Sequence, residues 1–166
     1  MLQHHDLLMT IAQVSATFAG FSGVIAVFRR GSSLSELEIG ALQVRAVVEL
    51  GVMATILALL PFIPFGLGAN EPVTWRLCSA IAGVAFFGGF VGAMRRVRLS
   101  TGEGASARDP TLVGVALTVV GASQLALWLN VFGIASAVAA TLYVAALLLA
   151  LAHAGFMFVR LLTPRK

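Results

Sequence analysis

The chain has 166 residues, of which 59% are hydrophobic and 11% charged, with a mean hydropathy of +0.97, a net charge of +4 and a pI near 10.6. Soluble domains carry about a quarter charged residues, so the composition excludes an ordinary soluble domain and predicts an all-α integral membrane protein. The arginines flank apolar runs, so the positive charge points to membrane topology rather than to nucleic acid.

The first apolar run, residues 7–28, holds no charge and is long enough to cross a bilayer at about 1.5 Å per residue. It has no basic leader and no clear cleavage site, so it reads as a mature span and not as a signal peptide. At about 100° per residue, Gln13, Ala16, Thr17 and Gly20 share one side, and Ser15, Ala19, Ser22 and Ala26 lie roughly opposite. Small side chains let helices approach closely. Two such faces, with Gly20 and Gly23 among them, place this span at the centre of a bundle.

Arg29 and Arg30 end span one, and Ser33-x-x-Glu36 and Ser35-x-x-Glu38 both fit a capping box, so a new helix starts near residues 33–35. It enters the membrane as span two, 41–65, which carries Arg45 and Glu49 and is broken at its far end by Pro61 and Pro64. Span three, 74–94, is opened by Trp75 and closed by Arg95, Arg96 and Arg98, a set that fits anionic lipid headgroups. Its Gly88, Gly89 and Gly92 give the densest small-residue pattern in the chain and predict close packing between helices or subunits. Asp109-Pro110 starts span four, 111–132, with Gln124 and Asn130. Gly133 turns the chain into span five, 134–162, with His153 and Arg160.

The expectation is a single domain, 1–166, of five transmembrane helices. Of the 11 Lys and Arg residues, only Arg76 then falls on the opposite side from the rest. The positive-inside rule puts the N-terminus outside and the C-terminus in the cytoplasm. The single cysteine, Cys78, excludes an internal disulfide, and Lys166, the one lysine, lies outside every span.

Polar side chains inside spans are the candidates for function. Arg45 and Glu49, four apart, can pair on one helix face. They are either a structural pair or part of a polar path. His153 reaches similar depth on span five, so a contact with Glu49 would make a proton-sensitive element. Gln13, Thr17 and Gln124 either join helices by hydrogen bonds or, for Gln13 and Thr17 with Gly20, line a water-filled path. Pro61 and Pro64 strip the helical donors from the carbonyls of Leu57 and Leu60. No catalytic motif, phosphate loop or metal-ligand pattern is present, which points away from an enzyme and from any cofactor.

The stretch Ile11-Ala-Gln-Val-Ser-Ala-Thr-Phe-Ala-Gly-Phe-Ser-Gly23, with Thr74-Trp-Arg-Leu and Phe158-Val-Arg-Leu-Leu, resembles a group of uncharacterised small bacterial multi-pass proteins with an Ala-Gly-Phe-Ser-Gly first helix. The resemblance implies a location in the bacterial inner membrane and no particular activity. Few, short-looped spans without an inverted repeat suit a homo-oligomeric channel or pore for small ions better than a monomeric transporter. The alternative is a non-transporting membrane component that binds a partner protein or lipid, since no charged ring marks a pore.

Overall fold

The structure, a computed structural model, describes residues 2, 4–28, 34–100 and 110–162, with side chains in 2, 4–25, 44–95 and 114–159. Arg29, Arg30, Ser33, Asp109 and the basic tail lie outside the described residues, as do the side chains of Arg96, Arg98 and Arg160. The helices are α1 His5–Phe28, α2 Leu34–Leu59, a short α3 Phe62–Gly66, α4 Glu71–Ser100, α5 Pro110–Val131 and α6 Ala139–Leu162. Among the described residues there is no strand, and 5 segments are long and apolar enough to cross a membrane, in α1, α2 with α3, α4, α5 and α6.

The expected spans and the helices agree in number and place; α4 extends beyond the expected 74–94 at both ends, and spans two and five differ in ways that have a local cause. Span two is not one helix to residue 65. Pro61 has no N–H for the Leu57 carbonyl, so α2 stops at Leu59 and α3 follows after a turn. Span five does not begin at Ile134. Gly133 adopts φ +71°, a conformation that favours glycine, and a 3-10 turn at Ser136–Val138 precedes α6. Pro110 is the first residue of α5, where its missing N–H costs nothing.

The packing order corrects the expectation for span one. α1 packs mainly on α2, whereas α6 packs on both α5 and α2 and also touches α1 and α4. The last helix is therefore the axis of the bundle, and α1 lies at its rim. Only one of the two small faces of α1 is used. Leu8, Ile11, Ala12, Ser15 and Ser22 turn inward, at helical spacing. Opposite them, α2 offers Gly51, where an added Cβ would lie 2.9 Å from the Ser15 carbonyl oxygen and 3.1 Å from Ala19 Cβ. The hydroxyl of Thr55 donates to the Ala12 carbonyl at 3.3 Å across the same seam.

The glycines of the sequence reading divide in the same way. Gly89 faces α2, 3.1 Å from the Met53 methyl for an added Cβ, and Gly92 is half-buried. Gly20, Gly23 and Gly88 do not pack helices within the chain, because a Cβ at each would meet nothing within 4 Å. The core gathers Leu57, Trp75, Cys78, Leu127, Tyr143 and Leu147 from α2, α4, α5 and α6. The outside is also apolar: Phe21, Ile56, Val84, Phe87, Leu125 and Val159 are exposed. Such a surface exceeds what a soluble monomer shows to water and suits hydrocarbon.

Candidate functional site

The polar residues expected to form a path or a buried network do not gather in one place. The Arg45 Nε donates to Glu49 Oε1 at 2.7 Å, and the two side chains are 64% and 41% exposed, so this pair lies on the outer face of α2. His153 is buried in α6, and its Nδ1 has no hydrogen-bond partner. Gln124 is used in packing: its Nε2 donates to the Gly83 carbonyl at 2.9 Å, joining α5 to α4, and its Oε1 accepts from Trp128 Nε1 at 3.0 Å. Spacing along a helix gives depth in the membrane but not the direction that a helix face turns, which packing decides.

The carbonyls freed by the prolines each accept another donor. The Tyr143 hydroxyl donates to the Leu57 carbonyl at 2.6 Å, and the Ile63 N–H donates to that of Leu60 at 3.1 Å. Tyr143, which the sequence reading passed over, thus ties the break in α2 to the central helix. Asn130 does the same for the start of α6. Its Nδ2 donates to the Ala139 carbonyl at 2.7 Å and to Ser79 Oγ at 3.2 Å.

Buried Ser15 Oγ, Asn130 Oδ1 and His153 Nδ1 have no partner among the described residues, and a further set of polar side chains faces outward from α1. Asp6, Thr10, Gln13, Thr17 and Gly20 are all exposed. Their spacing of four, three, four and three keeps them within one narrow stripe along the helix. Thr10 and Thr17 donate to the carbonyls of Asp6 and Gln13, each at 2.8 Å, so their hydroxyl lone pairs remain available to a ligand or water. No described residue hydrogen-bonds the side-chain amide of Gln13. Gln13 lies close to the middle of the apolar segment His5–Ile25. The stripe was present in the sequence as a periodic run, but Asp6 lay just outside the span read as residues 7–28, and Thr10, inside it, was not singled out.

Beside the stripe, between α1 and α6, a groove of about 320 Å³ is lined by Gln13, Val14, Thr17, Phe18, Phe21 and Phe158. Two of these residues, Phe18 and Phe158, meet edge to face with ring centroids 5.6 Å apart. The groove is apolar except at the Gln13 and Thr17 end. No protein-family model, no curated protein and no solved structure matches this chain.

Proposed function

We propose that this chain is a multi-pass protein of the bacterial inner membrane, N-terminus outside and C-terminus cytoplasmic, whose copies assemble into a channel for small ions. The observation that carries the reading is the outward stripe of Asp6, Thr10, Gln13 and Thr17 on α1. A polar stripe through an apolar layer needs water or polar partners, and a ring of copies with α1 innermost gives it a wet lumen. Span one is then central in the assembly although it lies at the rim of its own bundle. The orientation rests on the Lys and Arg distribution. The same distribution sets Arg95, Arg96 and Arg98 against anionic lipid.

A second reading, a non-transporting component that binds a partner protein or lipid, draws on the exposed Phe21 and Val24, which end the polar stripe before the far side of the membrane. In the channel these residues form an apolar constriction, which gates by excluding water. The test is ion flux from salt-loaded liposomes containing the purified protein. Flux that falls in Gln13→Leu supports the channel. A correctly folded protein with no flux under a voltage of either sign removes the channel and leaves the second reading.

A further inference from the structure

The imidazole of His153 is buried without a partner: the residue is 9% exposed and its Nδ1 makes no hydrogen bond. Its direction follows from its neighbours on α6. A Cβ added at Gly155 would lie 3.7 Å from the Phe18 ring of α1. At about 100° per residue His153 lies about 160° round the helix from Gly155, so it turns away from α1. Ala146 stands about two turns earlier on the face of His153, and its carbonyl accepts from Ser123 Oγ of α5 at 3.5 Å. His153 therefore turns toward the pair of α4 and α5. That pair covers α6 unequally. In the half nearer the Gly133 turn, α4 buries Trp75, Cys78 and Ala82, and α5 buries Ser123 and Leu127. In the other half, level with His153, no described side chain of 87–95 or 114–122 is buried.

We propose that a water-filled crevice enters between α6 and the α4–α5 pair, from the C-terminal end of α6, and ends at His153. The imidazole selects water as the occupant. In one tautomer Nδ1 needs an acceptor and in the other a donor, and no described side chain supplies either. An acyl chain supplies neither. Water supplies both, and it recovers the free energy that a buried nitrogen loses without a partner. Charged side chains do not take its place: Arg45 and Glu49 pair on the exposed face of α2, Arg95 is exposed near the end of α4, and Asp6 is exposed at the far end of α1. The crevice is closed at its other end. There Gln124 Nε2 donates to the Gly83 carbonyl at 2.9 Å, joining α5 to α4, and Leu127 is fully buried. His153 thus meets the solution on one side of the membrane only. The crevice lies on the side of α6 away from α1, so it stands without the channel reading. Only the assignment of its mouth to the cytoplasm rests on the orientation proposed above.

The test is water footprinting of the unmodified protein in nanodiscs. Hydroxyl radicals made by X-ray radiolysis oxidise side chains that touch water, and mass spectrometry locates them. His153 should be oxidised, and Tyr143, fully buried in the closed half, should not. An unoxidised His153 overturns the crevice, and oxidation of both residues overturns its one-sidedness. The mouth is read with a charged, membrane-impermeant thiol reagent on a Cys78→Ala background. His153→Cys should be labelled, and Ala146→Cys, fully buried on the same face of α6, should not. In vesicles of known sidedness, labelling from the face that bears the C-terminus supports the proposal. Should that face prove to be the periplasmic one, the crevice stands and the orientation falls. A folded His153→Cys variant labelled from the opposite face, or from neither, overturns the crevice. Flux enters none of these readouts, so loss of the channel reading leaves them unchanged.

Discussion

At the residue scale, the glycines separate into those that hold the fold and those that do not. Gly51→Ala forces a methyl to within 2.9 Å of the Ser15 backbone oxygen, an overpacking that costs about 1–3 kcal/mol. It should lower the melting temperature in detergent, whereas Gly23→Ala, with open space around it, should leave the monomer's melting unchanged. The Arg45–Glu49 pair is a second case. From the sequence it could have been a buried pair, whose disruption is severe. With side chains 64% and 41% exposed, it belongs with surface pairs worth about 0.2–1 kcal/mol. Glu49→Gln should therefore melt within a few degrees of the parent, and no closer to it when Arg45→Met is added. The sequence supplied the identity and depth of Gly20, Gly88, Arg45 and His153, but the side each faces depends on which neighbour wins the packing, and a single helix does not encode its own azimuth.

At the element scale, the break in α2 is held by a bond from another helix. The Leu57 carbonyl, deprived of its donor by Pro61, receives the Tyr143 hydroxyl at 2.6 Å. Tyr143→Phe leaves that buried oxygen unpaired, at a cost of about 1–3 kcal/mol. Pro61→Ala restores a local N–H, so the double variant Pro61→Ala with Tyr143→Phe should recover part of the loss in thermal denaturation. Equal melting of Tyr143→Phe and the double variant would show that the hydroxyl serves only itself. The prolines were legible as a helix break because the missing N–H is a local property. The tyrosine that answers them, 86 residues away in sequence, was not, because nothing local marks it. The start of α6 was placed too early for a related reason: residues 134–138 are apolar like a helix, and only the positive φ of Gly133 and the 3-10 turn reveal the delay.

At the scale of the whole molecule, the count of five long apolar helices was legible because hydrocarbon thickness imposes a length on every span. Their arrangement was not, since small-residue faces on α1 and α4 look alike whether they meet a helix, a second copy or lipid. The topology drawn from the Lys and Arg distribution is open to direct measurement. A reporter active only in the cytoplasm should work when fused after Lys166 and fail when placed before Met1, and activity at both ends would remove the odd number of crossings.

The central place of α6 bears on the order in which the molecule comes together. α1 and α2 form one tight hairpin and α4 and α5 another, and direct packing between the hairpins is slight compared with what each makes on α6. Chains emerge from the ribosome N-terminus first, so both hairpins are synthesised before the helix that unites them. Until then Leu57 has no hydroxyl to receive and the Asn130 amide has no Ala139 carbonyl to bind. The two hairpins thus depend on α6 both for their mutual packing and for these two polar contacts.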